Sequence, residues 1–95
     1  MKELDGSYIL INRQFERQFN ISNEAIHGKR DHEVFPTEIA EVFHHNHQLV
    51  VENGQPMEFE ECAHHEDGIH TYISVKFPLK DALGASYAVC GISTD

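Results

Sequence analysis

The spacing of apolar positions along this 95-residue chain changes several times and predicts a mixture of short helices and strands. A continuous apolar run at 8–11 follows an Asp5-Gly6 turn and predicts a short strand with both faces covered. Phe15 and Phe19 lie four positions apart, which places both on one face of a short helix over 13–20. The first part of the chain therefore predicts a strand that passes directly into a helix.

Punctuating residues delimit the next two elements. Ser22 is a good N-cap for a second short helix, and Gly28 suits its C-terminal stop. A further helical turn over 30–35 is ended by Pro36, which cannot continue a helix. We therefore expect three short helical segments before residue 37.

The longest predicted helix begins at Thr37, which we expect to be its cap, and runs to about residue 53. Gly54 supplies a left-handed stop, and Pro56 prevents continuation. One side of this helix should face the core because its apolar residues recur at a spacing of 3.6. They are Ile39, Val42, Phe43, Leu49 and Val50, with Asn46 among them.

After Pro56 the period changes to two, which predicts a hairpin with strands near 57–62 and 72–77, then a last strand over 86–92. A two-residue loop would mix apolar and polar faces, so we favour the three-residue loop Glu66–Gly68. Its predicted pairs are Phe59 with Val75, Met57 with Phe77 and His64 with His70.

The order of these features resembles the PAS family of sensory domains over nearly the whole chain. The matching residues are Asp5-Gly6, Asn12 with Phe15 and Phe19, Ile26, Gly28-Lys29, Phe35-Pro36, Gly54 with Pro56, Asp67-Gly68, Asp81 with Gly84, and residues 91–95. The resemblance implies an α+β fold, with an antiparallel sheet of about five strands, short helices and one longer helix on one face. It also implies one sensory domain over 1–95.

The resemblance sets expectations for both ends of this domain. Family members have a longer first strand than residues 1–4 allow, so we predict a shortened first strand, with strand exchange between chains as the alternative. In the family the last strand passes into a helix that leads to an output domain, such as a histidine kinase or a diguanylate cyclase. Asp95 would cap that helix and relay the signal, so we expect the domain to be part of a larger signalling protein.

The formal net charge of −9 argues against nucleic acid and anionic membranes, because phosphate binding depends on clustered Lys and Arg. No apolar run approaches the roughly 18 residues of a membrane span, and we expect a cytoplasmic protein. Cys62 and Cys90 have no C-x-x-C spacing, so a disulfide framework is not expected. The expected partners are a small molecule or a second copy of the chain in a homodimer.

Candidates for the ligand pocket are mostly apolar residues of the predicted helix and sheet. Asn12 is the exception, since a polar side chain that ends a buried strand needs a partner. It could instead hydrogen-bond to the backbone and hold the turn into the helix. The candidates are Asn12, Phe35, Ile39, Val42, Phe43, Met57, Tyr72 and Tyr87.

An alternative function, a haem or metal sensor, would depend on the histidines of the chain. Haem-binding members of the family place an axial histidine on the long helix, and the corresponding residue is His44. A predicted cross-strand pair, His64 and His70, is close enough to share a metal ion, although two ligands are too few for a site. We interpret all three as surface histidines and predict no cofactor.

No Ser or Cys nucleophile has a paired base, and the chain contains no Gly-rich phosphate loop. The turn at 29–33 lacks the reactive cysteine of the family's light-sensing flavin members. We therefore predict a non-catalytic sensory domain that binds a small apolar or amphipathic ligand, dimerises, or does both. A purely structural dimerisation module with a filled core is a further alternative.

Overall fold

The computed structural model describes residues 1–65 and 68–94, and the side chains of all of these except His64 and His65. None of its helices is long and apolar enough to cross a membrane. In chain order the elements are β1 (Lys2–Glu3), α1 (Arg13–Phe19), α2 (Asn23–Ile26), α3 (Asp31–Val34), α4 (Thr37–Asn53), β2 (Met57–His65), β3 (Gly68–Lys80) and β4 (Ser86–Thr94). The predicted α+β class is confirmed.

The described strands form one antiparallel sheet of four strands in the order β1-β4-β3-β2. The sequence predicted about five strands, with a short first one. The short first strand is confirmed, since β1 has two residues and pairs with β4 of the same chain. The fifth expected strand, at 8–11, is absent from the described residues, where Tyr8 forms only an isolated bridge to Lys2.

The backbone around Tyr8 explains why no strand forms there. Tyr8 N–H donates to the Lys29 carbonyl at 2.9 Å, and Gly28 N–H donates to the Tyr8 carbonyl at 2.9 Å. These bonds hold the segment against the loop after α2 instead of a sheet strand. The buried backbone is still satisfied, which is the requirement that the predicted strand would have met.

Local capping reproduces the predicted helix boundaries closely. The Asn12 side chain accepts from Phe15 N–H, and the Ser22 side chain accepts from Ala25 N–H. Gly54 ends α4 with φ of 65°, in the left-handed region. The expectation for Thr37 is wrong in one respect, because Pro36 occupies the cap position and Thr37 is the first helical residue.

The predicted register of the β2–β3 hairpin is wrong by one residue. Gly68 belongs to β3 and pairs with His65, so the predicted loop Glu66–Gly68 is excluded, although Glu66 and Asp67 themselves lie outside the described residues. The observed partners are Met57 with Lys76, Phe59 with Ser74, Ala63 with His70, and His64 with Ile69. Because side chains alternate across a strand, this slip sends Ser74 and Lys76 to the inner face and Val75 to the outer face.

The core lies between the inner face of the sheet and the helices. Ile39 and Phe43 of α4 pack against Ala63 of β2 and Tyr72 of β3. A second cluster joins the segment before α1 to α2, and its buried members are Tyr8, Ile11 and Ile26. Phe35 packs against both clusters and so links them.

Candidate functional site

A cavity of 470 Å³ lies between the inner face of the sheet and α1. Its walls come from β1, the segment 8–12, α1, α4, the inner positions of β2 and β3, and residues 89–93 of β4. The cavity therefore gathers residues from nearly the whole length of the chain, and its lining combines rings with charged groups.

One wall is aromatic. Phe15 and Phe19 of α1 face the cavity with ring centroids 4.6 Å apart, and Phe43 of α4 also lines it. Phe35 lies behind these rings, with centroids 5.1 Å from both Phe19 and Phe43. Edge and offset contacts at such distances are the favourable arrangements of aromatic pairs, so this wall is firmly packed.

The opposite wall, on the sheet, is polar. Lys76 Nζ lies 2.7 Å from Glu61 Oε2, and Asn46 Nδ2 donates to the same oxygen at 2.9 Å. The Lys76 ammonium also lies 5.4 Å from the centre of the Phe43 ring, within range of a cation–π contact. Both charged side chains are nearly buried, so their mutual pairing is what makes the position tolerable.

A second ion pair lies at the edge of the cavity. Lys2 Nζ is 2.5 Å from Asp31 Oδ2, and Tyr8 OH donates to Asp31 Oδ1 at 2.6 Å. Burial lowers the pKa of the Lys2 ammonium, and the Asp31 carboxylate opposes that shift. Burial, followed by the proximity of Asp31, raises the pKa of Tyr8 well above 10.0. Tyr8 is therefore a neutral hydrogen-bond donor at physiological pH.

His47 of α4 also lines the cavity and is 1% exposed. Its Nε2 lies 3.1 Å from the Leu4 carbonyl oxygen, which can only accept, so Nε2 carries the proton. Nδ1 is buried without a hydrogen-bond partner in the described part of the chain. Burial lowers the pKa of His47, and the hydrogen bond to the Leu4 carbonyl opposes this shift in part.

Only some of the residues that were predicted from the sequence to line a pocket line this cavity. Asn12, Phe43 and Tyr72 line it, although Asn12 Oδ1 is also the cap acceptor for Phe15 N–H at 2.9 Å. The remaining candidates, Phe35, Ile39, Val42, Met57 and Tyr87, lie outside its lining. Direct ligand contact by any of the eight remains a prediction.

The structure explains why two of these candidates, Val42 and Tyr87, lie outside the cavity lining. Val42 is 45% exposed, so it lies at the border of the helix face and not at its centre. Tyr87 is 57% exposed and falls at the register shift where Lys80 pairs with Ser86 and Leu79 pairs with Ala88. A β-bulge at this point interrupts the alternation of side chains between the two faces of the sheet and changes the direction of the Tyr87 side chain.

Sequence reasoning missed the polar wall, because the pocket candidates were chosen mainly for being apolar. Lys2, His47, Glu61 and Lys76 all line the cavity. One signal was available for Glu61, since it shares the period-two face of Met57 and Phe59 and so had to be buried with them. A buried carboxylate requires a cation, which would have directed attention to Lys76.

The histidines that carried the metal alternative are not brought together. His44 is half-buried against Gly6, with its ring 5.9 Å from that of His32, and it does not line the cavity. His70 pairs with Ala63 and stacks near Tyr72, so the predicted pairing with His64 is wrong, and the His64 side chain is not described. Among the described residues, no three His, Cys, Asp or Glu side chains are grouped to hold a metal ion. Asp95, the predicted relay residue, lies outside the described residues.

Comparison with known proteins gives consistent results. The sequence model for the PAS fold matches residues 1–95. The methanogenesis regulatory histidine kinase FilI of Methanothrix harundinacea (strain 6Ac) is 32% identical over 96 residues, a match that covers 100% of this chain and 11% of the kinase.

Solved structures share the fold at lower identity. VqmA bound to DPO superimposes with a TM-score of 0.84 at 22% identity, covering 99% of this chain and 48% of that one. The PAS domain of a protein from Colwellia psychrerythraea gives a TM-score of 0.78 at 23% identity, covering 99% of this chain and 80% of that one.

Proposed function

This chain belongs to the PAS-fold family, and from that premise we propose that its cavity binds a small molecule as the input of a signalling protein. As a sensory domain it is related to a regulatory histidine kinase, of which it spans 11%. The observation that carries the proposal is the 470 Å³ cavity, with an aromatic wall opposite a polar one. Small-molecule sites commonly have volumes of roughly 300–1,000 Å³ and combine apolar walls with a few placed polar groups.

The position of β4 supports a relay from the cavity. Residues 89–93 of β4 line the cavity, and the strand runs on to Thr94. A ligand would therefore touch the strand by which the chain leaves the sheet. We propose that Asp95 caps a helix leading to an output domain such as a histidine kinase. The similarity to FilI favours a histidine kinase as the output domain, and the ligand-bound state of VqmA favours a ligand as the input.

Mass spectrometry tests the ligand proposal directly. Native spectra of the purified protein should show a mass above that of the polypeptide, and denaturing spectra should show its loss. Ser74→Phe projects a ring from the buried inner face of β3 into the cavity and should abolish the added mass. Val75→Phe is the matched control, because the adjacent side chain lies on the outer face and should leave the added mass unchanged.

The proposal fails if the protein carries no added mass and takes up none from a cell extract. It also fails if Ser74→Phe and Val75→Phe retain the same amount. Circular dichroism melts of both variants establish that each is folded before the comparison is made.

Dimerisation is a second candidate function, favoured by the outer face of the sheet. Ile73, Val75 and Ile92 lie there with exposures of 47%, 39% and 62%. Val75 and Ile92 are direct cross-strand partners, so their side chains form a continuous apolar surface. Sedimentation equilibrium across a concentration series tests this candidate independently of any ligand.

A further inference from the structure

We propose that the cavity selects a ligand without net charge, with a planar ring against the aromatic wall and adjacent donor and acceptor atoms facing Lys76 and Glu61. A carboxamide on an aromatic ring is the simplest example of this class. The inference rests on the proposed function and specifies which small molecules the same cavity accepts.

The first step is a balance of charges. Among the residues that the structure describes, the charged side chains that line the cavity are Lys2, Glu61 and Lys76. Lys76 is paired with Glu61 at 2.7 Å, and Lys2 is paired with Asp31 at 2.5 Å. A charged ligand would therefore have to compete with an existing partner, and any buried charge left uncompensated is strongly unfavourable.

His47 adds no charge to this balance. Its Nε2–H group donates to the Leu4 carbonyl. A second proton on the buried Nδ1 would have no hydrogen-bond acceptor among the described residues, so the ring stays neutral. The Met1 amino group also lines the cavity, where it donates to the Leu10 carbonyl at 2.9 Å in an exposed contact. Burial lowers the pKa of this amino group, and acetylating it separates its charge from those of the paired side chains.

The second step concerns the shape of the ligand. Rings from Phe15, Phe19 and Phe43 line one side of the cavity, and Tyr72 contributes another from β3. Flat aromatic groups gain most from such walls, because offset stacking and edge contacts add to the burial of apolar surface. A planar ring therefore uses this wall better than a flexible chain of the same volume.

The third step concerns the polar edge of the ligand. The ammonium of Lys76 is a hydrogen-bond donor and the carboxylate of Glu61 is an acceptor, and both line the cavity side by side. A carboxamide presents a carbonyl oxygen next to an N–H group. It can bind both partners at once and leave their charges paired.

Three isosteric probes test this inference: benzamide, which is neutral, benzoate, which is anionic, and benzamidine, which is cationic. Each is titrated into ¹⁵N-labelled protein, and the amide resonances of Ser74, Lys76 and Gly91 report binding at the cavity. We expect benzamide to shift these resonances with an affinity at least about tenfold higher than either charged probe. The ranking should persist when the Met1 amino group is acetylated.

Two substitutions sharpen the test by unbalancing the charge. Glu61→Gln leaves Lys76 without its carboxylate and should move the preference toward benzoate, while Lys76→Met leaves Glu61 unpaired and should move it toward benzamidine. The double variant Glu61→Gln/Lys76→Met should return to benzamide. The ranking in the unsubstituted protein tests the inference even if a single variant fails to fold.

Equal or tighter binding of benzoate or benzamidine at these resonances overturns the charge selection. A ranking that changes on acetylation assigns the selectivity to the terminal amino group and also overturns it. The absence of any shift with all three probes overturns the ring and edge requirement. In each case the proposed function stands if native mass spectrometry still finds an added mass that Ser74→Phe removes, so the two failures are distinguishable.

Discussion

Each face of the sheet carries some side chains of the polarity that is normally found on the other face. The inner face of the sheet carries Glu61, Ser74 and Lys76, all shielded from solvent, whereas the outer face carries the exposed Ile73 and Val75. An antiparallel sheet with one solvated face normally places apolar residues inward and polar residues outward. The comparison teaches that the inner face carries paired polar groups beside the cavity, whereas the outer face leaves apolar side chains exposed to solvent.

The inner face tolerates its charges because each is paired within the chain. Glu61 accepts from Lys76 and Asn46, while the hydroxyls of Ser74 and Ser93 lie 2.8 Å apart in a hydrogen bond. Removing one member of such a pair leaves the other buried and unsatisfied. We therefore expect large effects from substitutions inside the sheet and small ones outside.

The largest effect is expected for Asp31→Ala. Its side chain is 1% exposed, forms an ion pair with Lys2 and accepts a hydrogen bond from Tyr8. Its removal leaves the Lys2 ammonium and the Tyr8 hydroxyl without this partner. The free energy of unfolding should fall by about 3–5 kcal/mol, measured by urea denaturation. Asp5→Ala is the control, because its pair with Arg30 is more than half exposed and solvent weakens it, so the loss should be far smaller than for Asp31→Ala. Equal losses in the two variants would contradict a buried role for Asp31.

A somewhat smaller effect is expected for Lys76→Met, since its side chain is 12% exposed and the pair retains some contact with solvent. The loss should be about 2–3 kcal/mol, because Glu61 remains as an uncompensated buried charge. Adding Glu61→Gln should recover most of that loss. A double-mutant cycle from urea denaturation measures the coupling, and purely additive losses would show that the pair is not a unit.

The next effect is a dependence of stability on pH through His47. Burial lowers its pKa from 6.5, so the unfolded chain binds the proton more readily than the folded one. The free energy of unfolding should therefore fall as pH drops below 6.5 and level off below the folded pKa, by at most about 1.4 kcal/mol for each pH unit.

His47→Gln can still donate to the Leu4 carbonyl but cannot titrate. Below pH 6.5, the free energy of unfolding of this variant should depend less on pH than that of the unsubstituted protein, as measured by urea denaturation at each pH. Parallel pH profiles would remove His47 as the source.

The smallest effect on stability is expected on the outer face. Ile92 is 62% exposed, so Ile92→Gln should change the free energy of unfolding by less than about 0.5 kcal/mol. If the apolar outer face joins two copies, the same substitution should weaken self-association in sedimentation equilibrium. Unchanged self-association would place any dimer contact elsewhere.

Much of the helical structure was predictable because its determinants are local. Helix α4 ends at the predicted Asn53 and begins at Thr37, the residue predicted as its cap, and Gly54 adopts the left-handed conformation that stops it. Asn12 and Ser22 cap their helices through bonds to residues three positions away. Such interactions depend only on the identity of close neighbours in the chain, so the sequence is sufficient to predict where these helices begin and end.

The hairpin shows where local reasoning ends. The sequence pairing of Phe59 with Val75 joined apolar residues to each other, and the structure pairs Phe59 with Ser74 instead. This register lets Lys76 reach Glu61, and the pairing of β3 with β4 places Ser74 opposite Ser93. Polar groups of three strands therefore satisfy one another on the buried side. Residues far apart in the chain decide that arrangement, and alternation within a single strand cannot report it.

The sequence by itself determined most of the helix boundaries, because caps, periodicity and chain-breaking residues act over a few positions, and its resemblance to a known family predicted the fold and the short first strand. Only the tertiary structure decided which face of the sheet is buried and that the cavity wall is charged. The pairs Lys2–Asp31 and Lys76–Glu61 join residues that are 29 and 15 positions apart in the chain. Each charge can be buried without a large penalty only when its partner is packed beside it in the folded structure. The chemistry of the cavity is therefore a property of the assembled layers and not of any one segment.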